Sequence, residues 1–331
     1  MHTVERTDLV MVSVLLPIFN AAATVCSAVQ SILRQTHRQL EIVAVDDGST
    51  DETPKLLAAI ARRDARVKVF HQENSGIVAA LNYGLSACHG DYVARMDADD
   101  YALPWRLTTQ LQLMMSAPNI AACGTAIVPF DNRTLRPGWP QRFPLARAGI
   151  LTRLLFNPPI MHPTAMMRRD LIKGPGFYSR KSPHAEDFEL WSRLVRTQEL
   201  GNIRTVGLLY RRSKTSITGS RRPEQSASAD HLRIANLAWL LGDRFAAAHA
   251  AVHLEIMARR HAPRDLLLAM PEYVALLAEC PGLDPEVIAD HWFGYCLSYA
   301  RAGGLDAVRL YRKAGRLTRP LRLLALCAAA A

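Results

Sequence analysis

Three aspartates lie close together in the segment ARMDADDYALP, residues 94–104. Asp97 and Asp99 are two positions apart, so in an extended chain both side chains point to the same side. Two carboxylates that face one point suit a hard divalent cation such as Mg²⁺ or Mn²⁺, which binds carboxylates, water and substrate phosphates. The alternative is a solvated acidic loop in which an aspartate caps the next helix. We expect Asp97 and Asp99 to face the site and Asp100 to be the cap.

A second acidic pair, Asp46 and Asp47, follows an apolar run. One of these carboxylates could accept a hydrogen bond from the imide N–H of a nucleobase. The alternative is a simple turn, since the sequence Asp-Gly-Ser that follows is typical of turns. Neither interpretation is preferred from this pair alone.

A third acidic pair, Glu186 and Asp187, opens a helical pattern. A carboxylate in a partly closed cleft can have its pKa raised toward neutrality, and it can then act as general base on an alcohol. Acidic residues also stabilise helix N-termini through the helix dipole, so the pair alone does not decide between a catalytic base and a structural charge at the start of the helix. His162 and His184 could line a cleft or be satisfied loop histidines, and no histidine or cysteine spacing predicts a zinc site.

The elements that must position these acids alternate along the first half of the chain. Short apolar runs predict strands, and periodic runs between them predict helices; the predicted strands are 10–19, 41–45, 67–71, 92–96 and 120–128. This alternation indicates a Rossmann-like, mostly parallel sheet flanked by helices, an α/β fold. Ligands bind outside the carboxyl ends of such strands, where Asp46 and Asp97 fall. Ser49 and Glu52 have the spacing of a capping box for the helix at Pro54.

Length and composition limit the remaining possibilities. The chain has 331 residues, 49% hydrophobic and 21% charged, which excludes disordered and fibrous classes. The net charge of +10 is compatible with an anionic partner, which could be nucleic acid, acidic lipid or a phosphorylated small molecule, and the alternative is a soluble basic protein without such a partner. The six cysteines are scattered without a C-x-x-C pair, which favours a reducing compartment. The sequence also has no apolar stretch long enough for a membrane span, and together these features predict a cytoplasmic protein.

The last third of the sequence is rich in alanine, leucine and arginine and predicts an all-α C-terminal extension. We therefore expect two domains, residues 1–220 and 221–331. The basic C-terminal segment from residue 307 could lie on an anionic membrane at its inner face, or it could be a helix with a solvated basic face. Pro320 argues against one continuous helix there.

The motifs, taken in order, resemble glycosyltransferase family 2. They are VSVLLPIFN, VAVDDGSTDETP, ARMDADDYALP, HPTAMMRR and AEDFELWSRL, and the resemblance covers roughly residues 10 to 212. It implies the GT-A fold, a nucleotide-diphosphate-sugar donor with a UDP-sugar favoured, Mn²⁺ or Mg²⁺, and an inverting displacement at the anomeric carbon. The implied partners are this donor and a glycan or lipid-linked acceptor in cell-surface polysaccharide biosynthesis, and no nucleic acid.

The resemblance also implies roles for single residues. Asp187 is implied to be the catalytic base with Glu186 beside it, and Asp99 is the preferred metal ligand of the pair formed with Asp97. The residues implied to bind the donor are Pro17, Phe19, Asp46, Asp97 and Arg211, with Arg212 next to the last. Two alternatives stay open: a nucleotidyltransferase, whose glycine-rich phosphate loop is missing from PIFNAAATV, and a non-catalytic sugar-nucleotide-binding scaffold.

Overall fold

The structure is a computed structural model. It describes residues 9–131, 136–172, 177–212, 222–258, 263–302 and 306–315, together with Arg322 and Leu326. The chain divides into two compact units, one of residues 1–145 and 160–225 and one of residues 146–159 and 226–331. The predicted boundary between residues 220 and 221 lies outside the described residues.

The first unit is built on one sheet, which has eight strands in the described part of the chain. They are β1 (Val12–Ile18), β2 (Leu40–Asp47), β3 (Val67–Gln72), β4 (Tyr92–Arg95), β5 (Tyr101–Ala102), β6 (Ile120–Asp131), β7 (Met166–Arg168) and β8 (Glu199–Arg212). Their order across the sheet is β3-β2-β1-β4-β7-β6-β8-β5. Only β7 and β5 run antiparallel to their described neighbours, so the predicted α/β fold with a mostly parallel sheet is confirmed.

Helices cover this sheet. In the first unit they are α1 (Val25–Leu33), α2 (Thr53–Ala61), α3 (Ile77–Ala87), α4 (Arg106–Ser116) and α6 (Glu186–Leu194). Every residue of β1 and β2 is buried, as expected for parallel strands covered on both faces. This burial explains why residues 14–18 of β1 and residues 42–45 of β2 are apolar runs in the sequence, and Asp46 and Asp47 follow at the carboxyl end of β2.

The predicted capping box before α2 is wrong. The side-chain oxygen of Ser49 accepts a hydrogen bond from the backbone N–H of Asn20 at 2.9 Å. The start of the helix is held by Asp51, whose Oδ1 accepts from the backbone N–H of Thr53 at 2.9 Å. Ser49 therefore joins the loop after β2 to the loop after β1, a contact that local spacing does not reveal.

The second unit is helical, as predicted. Its helices are α5 (Arg147–Phe156), α7 (Arg222–Leu241), α8 (Asp243–Ala258), α9 (Arg264–Glu279), α10 (Pro285–Arg301) and α11 (Ala307–Lys313). The buried His253 ties three of them together, since its Nε2 donates to the carbonyl of Leu155 at 2.8 Å and its Nδ1 accepts from the Tyr273 hydroxyl at 2.8 Å. Across the described residues, none of the helices combines the length and the apolar character that crossing a bilayer requires.

Candidate active site

The carboxylates of Asp97, Asp99 and Asp100 meet at the carboxyl end of β4. One oxygen from each lies within 4.8 Å of the others. The first two side chains keep some exposed surface, and the third is fully buried. The sequence prediction that Asp97 and Asp99 face one point at a strand end agrees with this geometry, and Asp100 joins them there.

The prediction that Asp100 caps the next helix is wrong. Helix α4 begins only at Arg106, and Asp100 Oδ1 accepts a hydrogen bond from the backbone N–H of Arg211 at 2.8 Å. The Arg211 side chain reaches the same loop, because its Nε donates to the carbonyl oxygen of Asp99 at 2.6 Å. Its guanidinium also stacks over the Phe130 ring, 4.7 Å from the centroid. Strand β8 therefore holds the acidic loop in place.

A buried arginine balances part of this negative charge. Arg95, the last residue of β4, places its Nη2 at 2.5 Å from Asp97 Oδ1. Burial by itself would lower the pKa of Arg95, but Asp97, Tyr178 and Glu186 outweigh it and raise the pKa above its ordinary value. Arg95 is therefore charged and lies within the electrostatic reach of both acidic pairs.

The other two aspartates of the cluster are compensated only in part. Burial and the neighbouring Asp97 raise the pKa of Asp99 to about 6. Burial, Asp97 and Asp99 raise the pKa of Asp100 well above its ordinary value. The buried Oδ2 of Asp100 has no hydrogen-bond partner among the described residues. Hard oxygen donors that repel one another in this way fit a divalent cation, so the residues present are chemically suited to one.

Glu186 and Asp187 begin α6, and the buried Phe188 and Trp191 fix this helix against the unit's core. Burial and the neighbouring Glu186 raise the pKa of Asp187 to about 7, although the residue keeps some exposed surface. Burial also raises the pKa of Glu186 above its ordinary value. A carboxyl group that titrates near neutrality can take a proton from an alcohol at physiological pH.

The two aspartates at the end of β2 have different surroundings. Asp46 is buried, and its Oδ2 lies 3.0 Å from Nδ1 of the half-exposed His71. Asp47 accepts three hydrogen bonds, from the Gln72 side chain and from the backbone N–H groups of Ser75 and Gly76. Asp47 therefore holds the loop that leads into α3, while Asp46 Oδ1 accepts a hydrogen bond from the backbone N–H of Ser49 at 3.1 Å.

The remaining predicted residues lie as follows. Pro17 is buried in β1, opposite Val45 of β2, and Phe19 follows β1 with 51% of its surface exposed. His162 is buried, and its Nε2 shares a hydrogen bond of 2.9 Å with the Tyr178 hydroxyl, which makes it a satisfied histidine. His184 has a positive φ of 58°. Arg212 is exposed at the end of β8.

Sequence reasoning missed Arg95 and Arg106, the two buried arginines of the described residues. Arg106 Nη2 donates to the Arg95 carbonyl at 2.6 Å, and its Nε donates to Gln110 at 3.1 Å. Gln110 in turn donates to the carbonyl of Thr164 at 2.8 Å, so this network joins β4, α4 and the segment before β7. The available signal was an arginine within the apolar run YVARM, which is unusual for a buried strand.

Known proteins match this chain in sequence. The family model for glycosyl transferase family 2 matches residues 13–174. An uncharacterized glycosyltransferase of Haemophilus influenzae is 29% identical over 240 residues, which span 70% of this chain and 74% of that protein. The amylovoran biosynthesis glycosyltransferase AmsE of Erwinia amylovora is 33% identical over 191 residues, which span 56% of this chain and 70% of that protein.

Solved structures match most of the chain. The mannosyltransferase PcManGT from Pyrobaculum calidifontis, in complex with GDP-Man and Mn²⁺, has a TM-score of 0.54 at 18% identity and covers 97% of this chain and 86% of its own. TarS 1–349 of S. aureus, in complex with UDP-GlcNAc, has a TM-score of 0.56 at 20% identity and covers 91% of this chain and 89% of its own. At these identities the likeness establishes the GT-A fold, as the sequence predicted.

Proposed function

Because this chain belongs to glycosyltransferase family 2, we propose that it moves one sugar from a nucleotide-diphosphate-sugar to a hydroxyl group of a glycan or lipid-linked acceptor. The name of the Erwinia relative supports a role in the synthesis of a cell-surface polysaccharide. The observation that carries the proposal is the convergence of the Asp97–Asp99–Asp100 cluster at the end of β4, with Asp187 linked to it electrostatically through Arg95.

The nucleoside half of the donor is proposed to bind over the carboxyl ends of β1 and β2. Asp46 would accept a hydrogen bond from the imide N–H of the base, and the exposed ring of Phe19 and the nearby Pro17 of β1 would border the same pocket. Two structural neighbours were solved with UDP-GlcNAc and GDP-Man, which supports a nucleotide sugar as the donor class. A UDP-sugar is the donor we favour.

The diphosphate is proposed to lie beside the acidic cluster. Asp99, helped by Asp97, would hold Mn²⁺ or Mg²⁺, and Arg211 would add positive charge at the same place. A divalent cation bound there would stabilise the negative charge that develops on the leaving diphosphate. Arg95 pairs with Asp97 and so keeps the protein side of the site from becoming too negative for a diphosphate to approach.

Asp187 is proposed to act as the general base, with Glu186 as its neighbour. It would take the proton of the acceptor hydroxyl while that oxygen attacks the anomeric carbon from the face opposite the diphosphate, so that configuration inverts in one step. The raised pKa of Asp187 supports this role, because a base of pKa near 7 is both deprotonated and basic enough at neutral pH. This single displacement requires no covalent enzyme intermediate.

The protein is proposed to be located in the cytoplasm, with peripheral contact at the inner face of the membrane. Support comes from the exposed basic side chains of α11, Arg309, Arg312 and Lys313.

The experiment that tests the function is a donor screen. Purified protein is incubated with UDP-, GDP- and TDP-sugars, with and without Mn²⁺, and release of nucleoside diphosphate is measured. We expect metal-dependent turnover of one donor class, and Asp99→Asn should lose it. Absence of turnover with every donor, or turnover of equal rate in EDTA, contradicts the donor or the metal assignment respectively.

A further inference from the structure

An exposed tryptophan, Trp139, lies on a loop beside the carboxyl end of β6. Trp139 keeps 90% of its surface exposed, more than any other large hydrophobic side chain of the described residues. The neighbouring residues of its loop, 136–142, are also exposed. A single exposed apolar side chain is common on protein surfaces, so the case for ligand binding depends on how this indole is held and where its loop lies.

The loop that carries Trp139 is ordered by backbone pairing with β6. Pro137 forms a bridge with Phe130, and Gln141 forms one with Ile127. The Gln141 N–H donates to the Ile127 carbonyl at 2.8 Å, and the Gln141 carbonyl accepts from the Ile127 N–H at 3.0 Å. These contacts lie on both sides of Trp139, so the indole is presented from a fixed support.

Small and cyclic residues next to the indole strengthen this support. The Gly138 N–H donates to the Pro129 carbonyl at 2.6 Å. A Cβ at position 138 would lie 3.1 Å from Pro129 Cγ, so the close approach of the loop to β6 favours glycine. Pro137 and Pro140 flank the Gly138–Trp139 pair and fix their own φ angles. The cost of ordering this loop on binding is therefore small.

The sheet topology places the loop opposite the acidic cluster. Strand β8 pairs with one edge of β6 along its length. The bridges of the Trp139 loop at Ile127 and Phe130 therefore use the opposite edge of β6. Strand β7 pairs with this same edge, but only as far as Cys123. Beyond β7 on that side lies β4, whose end carries Asp97. Two strand spacings separate β4 from β6, about 10 Å. The Trp139 loop therefore lies at the carboxyl edge of the sheet, on the β7 side of β6, with the turn His162–Thr164 between it and the end of β4.

The same spacing argues against contact between Trp139 and the base of the donor. The base is proposed at Asp46 on β2, and β2 lies four strand spacings from β6, about 19 Å. An indole on a loop at the end of β6 is instead placed for the other substrate. Resting on the proposed function, we propose that Trp139 is an acceptor subsite that stacks on a sugar ring of an oligosaccharide next to the one that reacts.

A sugar ring suits this place chemically. The C–H face of a pyranose packs on a flat aromatic ring while its hydroxyl groups stay in water, and an indole offers the largest such ring with little entropy to lose. A preformed, solvent-facing indole needs no closure to bind it. The subsite predicts that the acceptor is at least a disaccharide, since the ring on Trp139 is distinct from the ring that carries the attacking hydroxyl.

Binding to Trp139 can be tested without turnover. Protein labelled with ¹⁵N-tryptophan gives indole N–H signals from its five tryptophans, and the Trp139→Phe variant assigns one of them. The labelled protein is titrated with cellobiose, lactose, chitobiose and the parent monosaccharides at millimolar concentrations. We expect the Trp139 signal to shift with at least one disaccharide and more weakly with its monosaccharide. A signal that moves with none of these sugars overturns the proposal, whether or not a donor is turned over.

Kinetics then give the second readout, with the donor that the screen identifies. Trp139→Ala should raise the KM for the disaccharide acceptor at least tenfold and leave the KM for the donor unchanged, and Trp139→Tyr should restore most of the difference. The matched control is Trp105→Ala at the far edge of the sheet, where the indole N–H donates to the Val206 carbonyl at 2.8 Å. This control should leave the acceptor KM unchanged.

Two results would contradict the subsite in the kinetic experiment. One is an acceptor KM that stays the same in Trp139→Ala. The other is loss of sedimentation with phosphatidylglycerol-containing vesicles in Trp139→Ala at unchanged acceptor KM, which would make the indole a membrane contact. A failed donor screen would leave the indole titration as the deciding experiment, so failure of the proposed function and failure of the subsite are distinguishable.

Discussion

Arg95 and Asp97 form an ion pair at the end of β4, with Nη2 and Oδ1 2.5 Å apart. The arginine is buried, whereas the Asp97 side chain keeps 33% of its surface exposed. The pair neutralises one of the three clustered aspartates and leaves Asp99 and Asp100 with raised pKa values beside it. It therefore bears on both the stability of the protein and the choice of metal ligand.

Removing the arginine should destabilise the protein. Arg95→Met leaves the Asp97 carboxylate beside other acids without its partner, and we expect a loss of about 1–3 kcal/mol in the free energy of unfolding, reduced by the solvent that reaches Asp97. The double variant Arg95→Met, Asp97→Asn should recover part of the loss, because the unpaired charge is gone. Urea unfolding in EDTA measures all three proteins.

The matched control for this pair is Arg66→Met. Arg66 and Asp64 lie 2.8 Å apart with 34% and 27% of their side chains exposed, so the loss should stay below about 1 kcal/mol. Strict additivity of the two changes at Arg95 and Asp97 would mean that the pair contributes no coupling energy.

Chelation should stop the reaction. We expect EDTA to abolish transfer and Mn²⁺ to restore it, and Asp99→Asn to lower kcat/KM by roughly 100-fold or more, because a charge that stabilises the transition state is lost. Calorimetric titration with Mn²⁺ in the presence of UDP should show weaker metal binding by the variant.

The control for the metal experiment is Asp91→Asn, just before β4 and at its other end. Asp91 Oδ2 accepts from the Met11 backbone N–H at 3.0 Å, far from the cluster, so metal binding should be unchanged. Equal Mn²⁺ affinity in Asp99→Asn and the native protein would reassign the ligand.

The rate should depend on pH through Asp187. Its pKa is raised to about 7, and a general base works only when deprotonated, so kcat/KM should fall about tenfold per pH unit below about pH 7. Asp187→Asn should bind the donor normally and lose transfer by roughly 100-fold or more. A pH series with saturating metal measures the profile. Transfer by Asp187→Asn near the native rate would mean that another residue is the base.

The same variant should be more stable than the native protein at neutral pH. The pKa of Asp187 is about 4 in the unfolded state and about 7 in the folded state. Below about pH 4 the carboxyl group is protonated in both states and costs no stability. As pH rises from about 4 to about 7 the unfolded state ionises first, so the free energy of unfolding of the native protein falls over this range. The asparagine amide carries no charge, so Asp187→Asn should gain stability over the native protein across this range, by an amount on the order of 2 kcal/mol at about pH 8. Thermal unfolding in EDTA near the two ends of this range gives the comparison. A stability difference of the same size at acidic and at alkaline pH would rule out this origin.

The sequence predicts five of the eight strands in the described part of the chain. Strands β1 to β4 and β6 are apolar runs bounded by turns, and their predicted limits lie within about three residues of the observed ones. Strands β5 and β7 have two and three residues, too few for a periodic pattern. The 14-residue β8 is not predicted because charged residues interrupt its apolar pattern.

The candidate site shows the same limit on what local sequence can tell. The convergence of the aspartates follows from strand ends, a property of parallel sheets. The role of Asp100 does not, because its partner Arg211 is 111 residues away. Arg95 lies two residues before Asp97 in the sequence, but its pairing depends on a buried geometry that local spacing does not specify. Contacts between distant segments decide which acid is structural and which is available to bind.

Asp46 and Asp47 should differ in what their loss does. Asp47 holds the backbone of Ser75 and Gly76 at 2.8 and 2.9 Å, and Gln72 at 2.6 Å, so Asp47→Ala leaves three donors without their acceptor. We expect a loss of about 2–3 kcal/mol in the free energy of unfolding.

Asp46→Ala gives up contacts to the Ser49 N–H at 3.1 Å and to the partly exposed His71, and it should cost less stability. Its main effect should be a rise of about tenfold or more in the donor KM, since a hydrogen bond between a charged group and the base is lost. Chemical unfolding and donor kinetics on both variants measure the two effects. His89→Ala is the control, because His89 forms a similar pair, 3.5 Å from Glu41, at the amino end of β2. An unchanged donor KM in Asp46→Ala would remove this residue from the base pocket, while the unfolding result for Asp47→Ala would stand independently.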